Sequence, residues 1–202
     1  MPRTRLSESE RRQALIAVAA DLARENGLAL VTGRDIAARA GVSVGLIQYH
    51  FGSVEILVAD MFAQVQTEDL ASATEVVKSA GSPYRALEAL VDYFTPAPGN
   101  WRYRLWIDAW SLAPRQPLLR SAARDINLAW RNLVLAVIRQ GKREGDFTVS
   151  DPTACAWRIL SLLDALHMQL SNEQVDASPA QVRKWVRRGI DLEVGRKPRS
   201  NA

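Results

Sequence analysis

Gln, Tyr, His, Arg, Ser and Thr side chains gather in the stretch from Thr32 to Phe51, TGRDIAARAGVSVGLIQYHF, and their chemistry suits a nucleic-acid duplex. A glutamine amide can pair with an adenine edge through two hydrogen bonds, and a valine can meet a thymine methyl. Guanidinium, hydroxyl and imidazole groups can reach phosphate oxygens. The residues expected to carry this chemistry are Thr32, Arg34, Ser43, Val44, Gly45, Gln48, Tyr49 and His50. The competing reading is an ordinary helical hairpin whose polar residues are simply solvated. Catalysis is not expected, because no nucleophile, base and orienting group occur in a usable pattern, and neither a metal site nor a cofactor is expected.

Two short helices and a tight turn must position these side chains. Thr32 is placed to cap the first helix, and Ile36, Ala37 and Ala40 give it one apolar turn. Gly41 stops it, because glycine takes the left-handed conformation past a helix end at little cost. Ser43 caps the next helix after Val42 alone, so the corner is sharp and the pair reads as a helix-turn-helix. On the second helix Ile47 and Phe51 are expected to bury against Ile36 and Ala37. Gly45, Gln48 and Tyr49 then share the open side, with Val44 in the first turn. A preceding helix, capped by Ser7 and Glu10, carries the stripe Leu15, Val18, Ala19, Leu22 and Ala23 and ends at Asn26-Gly27.

From Ser7 to about Leu57 the chain resembles the DNA-binding domain of the TetR family of bacterial transcriptional repressors. Thr32-x-Arg34-Asp35-Ile36-Ala37, Ala40-Gly41-Val42-Ser43-x-Gly45 and Ile47-x-Tyr49-His50-Phe51-Gly52-Ser53 carry the resemblance. It departs at Val54, where the family usually has a lysine that helps hold the DNA backbone. From about Trp106 to Val194 a looser resemblance points to the C-terminal domain of the BetI-like branch. It rests on Asp108-Ala109-Trp110-Ser111, Arg143-Glu144-Gly145 and Leu162-Leu163-Asp164-Ala165-Leu166. The resemblance implies a DNA-binding domain over residues 1–55 and a ligand-binding and dimerisation domain over 56–202. It also implies a homodimeric repressor of a pseudo-palindromic double-stranded DNA operator, released by a small-molecule effector. The alternative is a helical small-molecule-binding protein whose head no longer reads DNA, motivated by Val54.

At 202 residues the chain can bury a sizeable core. A net charge of +4 permits nucleic-acid binding, but seven arginines and five acids up to residue 52 leave an excess of only two there. Arg3, Arg5, Arg11, Arg12, Arg34 and Arg39 nonetheless lie where a phosphate backbone can use them. The basic cluster from Arg183 to Arg199 reads as a solvated face and tail. A single cysteine, Cys155, excludes an intrachain disulfide and reads as a packing residue. The polar start is no secretory signal, and no apolar run approaches the roughly 18 residues that a membrane span needs. A cytoplasmic protein without membrane contact is expected.

Beyond the head, Ser, Pro and Gly punctuation sets out six further helices, about nine in all. They are expected near 53–80, 83–95, 100–113, 117–144, 152–172 and 179–194, and the fold class is all-α. The fourth links the head to the rest and is the natural lever. Six tryptophans are many for this length. Tyr93, Trp106, Trp110 and Trp130 can line a cavity for a flat apolar ligand or an organic cation, with Asp108 or Asp164 as counter-charge. The competing reading makes these rings core residues. Asp164 and His167, three apart, are expected to form a hydrogen-bonded polar pair at a helix interface. Ser161 and Ala165 are small residues that let a partner helix approach, and with Trp185 they are the expected dimerisation surface.

Overall fold

The computed structural model describes residues 7–95 and 101–196. Among the described residues it contains nine α-helices, one 3₁₀ turn and no strand. They are α1 Glu8–Asn26, the 3₁₀ turn Leu28–Leu30, α2 Gly33–Ala40, α3 Val44–Phe51, α4 Val54–Ser79 and α5 Pro83–Phe94. There follow α6 Trp101–Leu112, α7 Pro117–Glu144, α8 Pro152–Ser171 and α9 Pro179–Glu193. The all-α expectation holds.

Local chemistry explains where these helices begin. Ser7 and Glu10 exchange backbone hydrogen bonds as a capping box, as do Thr32 with Asp35 and Ser178 with Gln181. The Asp151 carboxylate accepts from the Thr153 and Ala154 N–H groups at 2.9 and 3.0 Å, and Pro152 follows it at the first helical position. Gly41 ends α2 at φ 65°, in the left-handed region, and lets the N–H groups of Gly41 and Val42 both reach the Ala37 carbonyl. The 3₁₀ turn at Leu28–Leu30 escapes the sequence pattern because three residues carry no periodicity.

The chain divides into two compact units. The first runs to Glu68 and takes in Trp101–Ile126, and the second comprises Asp69–Asn100 and everything from Asn127. In the first unit α1, α2, α3 and the start of α4 share one core with α6 and the start of α7. Leu15, Leu28, Ile36, Ile47, Phe51, Met61, Phe62, Leu105 and Leu119 are buried there. In the second unit α8 packs on α9, and α5 packs on both. Val182, Val186 and Ile190 bury one side of α9, while Ile159, Leu160 and Leu163 bury one side of α8. Gly189 admits a close crossing, since a methyl group there would stand 2.4 Å from Leu162 Cδ2. Cys155 is buried beside it all, and loss of water pushes its thiol up to about 11, as a packing residue requires.

Candidate nucleic-acid interface

The open face of α3 presents Val44, Gly45, Gln48 and Tyr49, all exposed, while Ile47 and Phe51 on the other face are buried. Tyr49 is 74% exposed, far more than a tyrosine with a packing role. Ser43 Oγ accepts from the Leu46 N–H at 3.3 Å as the helix cap. Its hydroxyl proton stays available to an outside acceptor such as a phosphate oxygen. Gln48 donates from Nε2 to the Gly52 carbonyl, four residues on, which leaves its second N–H and its Oε1 unused by that bond.

Gly45 is informative. An added Cβ would meet only Ser43 Oγ, at 3.7 Å, an ordinary contact. No intramolecular close approach therefore explains a glycine in a helix, where it costs stability relative to alanine.

The flanking cations and polar residues sort differently from the sequence expectation. Arg34, in the first turn of α2, is exposed, and among the described residues no carboxylate pairs with it. Arg39 instead clasps Glu25 through two hydrogen bonds of 3.1 and 2.8 Å, which hold the Glu25 carboxyl below its usual range. Arg12 is engaged too, with Asp60 and the His50 carbonyl. These pairings join residues 14 to 48 apart in sequence, which no local pattern displays. Thr32 is exposed, yet its hydroxyl both accepts from the Asp35 N–H and donates to the Asp35 carboxylate, so capping comes first. His50 is partly buried against the Tyr49 ring, with Nδ1 shut away from solvent and unpartnered. Arg3 and Arg5 lie outside the described residues.

Val54 has a structural account. Its Cγ2 stands 2.7 Å from where a Cβ on Gly33 would be, so a small residue at 33 and an apolar one at 54 fit together at the start of α2. An apolar side chain there fills a contact with the helix-turn-helix that a phosphate-binding lysine would leave for solvent.

The profile of bacterial regulatory proteins of the tetR family matches residues 15–61. That of the BetI-type transcriptional repressor C-terminal domain matches residues 83–195. The chain belongs to the TetR family. This TetR-family protein is similar to the HTH-type transcriptional repressor KstR2 of Rhodococcus jostii, 28% identical over 155 residues, which are 76% of each chain. KstR2 of Mycobacterium tuberculosis H37Rv is 31% identical over 142 residues, 69% of this chain and 70% of its own. Among solved structures, a candidate transcriptional regulator from Saccharomonospora viridis in complex with choline superposes with a TM-score of 0.78. It is 23% identical over 91% of this chain and 96% of that one, a likeness that bears on the fold alone. The TetR-family chain is thus a transcriptional regulator with a DNA-binding N-terminal domain. No helix among the described residues is long and apolar enough to cross a membrane.

The residues expected to meet a ligand fall into two clusters. In the first unit the Trp106 ring meets Phe62 edge-on at 5.2 Å and Trp110 at 5.5 Å, with Trp110 exposed. In the second, Tyr93 and Phe94 pack on Trp130, which is buried, and the Tyr93 hydroxyl donates to Asp69 at 2.6 Å. The Asp108 carboxylate accepts from the Ala29 N–H at 3.2 Å. Asp164 and His167 do not pair. His167 is buried, with Nδ1 2.8 Å from the Leu163 carbonyl and Nε2 3.3 Å from Thr95 Oγ1, and loss of water lowers its pKa. Asp164 is partly buried, and loss of water alone raises it from 3.8 to about 7, with no cation or donor to hold the charged form. It shares a face of α8 with Trp157, seven residues earlier, whose ring lies 5.5 Å from the Arg131 guanidinium. The sequence reading missed Gln66, fully buried on α4 one turn beyond Phe62, with neither amide atom partnered. An amide on the same helical face as Met61, Phe62 and Val65 is the signal that marks it.

Two outcomes are expected. Gly45→Ala stabilises the fold by about 0.5–1 kcal/mol in chemical denaturation yet weakens DNA binding, because the methyl group improves the helix and obstructs the outside surface. Unchanged DNA binding would show that nothing approaches α3 there. Asp164→Asn gains stability over the parent, and the sign follows from its raised pKa. The folded carboxyl holds its proton to about 7 while the unfolded one releases it near 3.8, so the cost of burial grows across that window and is complete above it. Denaturation midpoints should therefore differ little at pH 4 and most above pH 7.

Proposed function

We propose that this protein is a homodimeric repressor that binds a pseudo-palindromic operator through α2 and α3 and is released by a small-molecule effector. The DNA-binding domain is then residues 1–55, and residues 56–202 form the ligand-binding and dimerisation domain. The observation that carries the reading is the exposed face of α3, where Val44, Gly45, Gln48 and Tyr49 serve no purpose in packing. Arg34 adds a free cation beside that face, and the Ser43 hydroxyl adds a donor. Two such faces, one from each copy, would meet successive major grooves when about 34–36 Å apart.

Dimerisation is supported by the outer side of α8 and α9. Ser161 and Ala165 are exposed there, and Trp185 and Leu192 are 46% and 64% exposed on α9. Small residues beside exposed apolar ones suit a close crossing with the same helices of a second copy. Effector binding is supported by polar groups that the fold leaves without partners, namely Asp164 beside Trp157 in the second unit and Gln66 in the first. A ligand can weaken DNA binding only by preferring one of two arrangements of the protein. The S. viridis regulator solved with choline lends precedent for a small molecule in this fold.

DNA flanking the protein's own coding region is the first operator to try. Gln48→Ala should relax base preference at one operator position by about 1–3 kcal/mol, whereas Arg34→Ala should weaken operator and random duplex alike and flatten the salt dependence. Gel-shift titrations on both duplexes decide, and equal losses for the two variants would place the reading face elsewhere. Light scattering should find a dimer at micromolar concentration, and Ala165→Glu should give monomers by burying an unpaired carboxylate. A monomeric parent chain would remove the basis for two half-sites.

A further inference from the structure

Arg12 sits where three elements of the first unit meet. It rises from α1, donates from Nη1 to the His50 carbonyl at 2.6 Å in the last turn of α3, and pairs through Nη2 with the Asp60 carboxylate on α4. Its guanidinium carbon lies 4.0 Å from the centre of the Phe51 ring. One planar cation therefore satisfies a carbonyl, a carboxylate and an aromatic face at once, which a lysine ammonium cannot do.

The location matters because α3 is only eight residues long and its last carbonyls have no partner inside the helix. A cation at that end also opposes the partial negative charge that the aligned peptides place there. Without it, α3 would depend mainly on the burial of Ile47 and Phe51, and apolar contacts resist rotation about a helix axis poorly. Rotation is the motion that would displace Gln48, Tyr49 and Val44 from their base edges together.

We propose that Arg12 is a positioning residue that sets the rotation of α3, and that it makes no contact with the DNA backbone. Asp60 completes the device by fixing the guanidinium and cancelling its charge. The inference rests on the operator-binding reading for its effect on DNA, while its effect on α3 stands independently of that reading.

Asp60→Asn separates this role from a phosphate contact by sign. If Arg12 served phosphate, losing the Asp60 charge would free it and strengthen binding to every duplex, leaving discrimination unchanged. If Arg12 positions α3, the same change loosens it and lowers the ratio of flanking-DNA to random-duplex affinity by about tenfold, the scale of one charged hydrogen bond. Arg12→Lys, which keeps the charge, should lower that ratio similarly and leave the salt slope on random duplex unaltered. Amide hydrogen exchange on the full chain without DNA supplies the second readout. Phe51 and Gly52 should exchange faster in both variants, while the buried amides of α8 remain as in the parent. Unchanged exchange at Phe51 and Gly52, or stronger binding of both duplexes by Asp60→Asn, overturns the proposal. Should the parent chain bind neither duplex, the operator reading fails, and the exchange data still decide whether Arg12 holds α3.

Discussion

An eight-residue helix is too short to hold its own shape in water, and both α2 and α3 are that short. The residues around the exposed face of α3 answer that constraint. Ile36, Ile47 and Phe51 are driven into a core shared with α1 and the start of α4, and the caps at Thr32 and Ser43 satisfy amide groups that short helices leave free. Only then can the other side of α3 be spent on exposed Val44, Gly45, Gln48 and Tyr49.

The same constraint explains why α6 belongs with the head. Asp108 accepts from the Ala29 N–H, and Arg104 donates to the carbonyls of Arg24 and Glu25, the unpaired groups at the end of α1. Arg24 in turn lies 5.1 Å over the Trp101 ring. Helix α6 therefore adds to the cap that α1 already has from Gly27, whose N–H returns to the Ala23 carbonyl at 2.9 Å. Trp106 and Trp110 lie on that same helix.

Much of the architecture was legible beforehand because it is written locally. Ser82-Pro83, Asp151-Pro152 and Ser178-Pro179 announce helix starts, and Gly41 announces a stop, each through a group within a few residues of its partner. The exposed side of α3 was legible for the same reason, since helical period alone divides Ile47 from Gln48. The side-chain partnerships were not. Arg12 and Arg39 looked like free charges because Asp60 and Glu25 lie far away in sequence. His167 looked like a partner for Asp164, yet a backbone carbonyl one turn back was nearer, and the close acid was left unpaired. Gln66 passed unnoticed because one amide on an apolar stripe scarcely disturbs its period.

The bond between α6 and α1 also bears on how such proteins can be recombined. Joining this head to another body at residue 55 would seem natural from the sequence, but it would strand Ala29 N–H and the Arg24 carbonyl and leave Gly27 facing a foreign side chain. Gly27 holds φ at 91°, with its α-carbon so near Asp108 that a methyl group would lie 2.9 Å from Oδ2. A transplant that keeps the head intact has to carry Trp101–Leu112 with it, although some thirty intervening residues belong to the other unit. The portable module is discontinuous in the chain, and a crossover library built on contiguous fragments would never contain it.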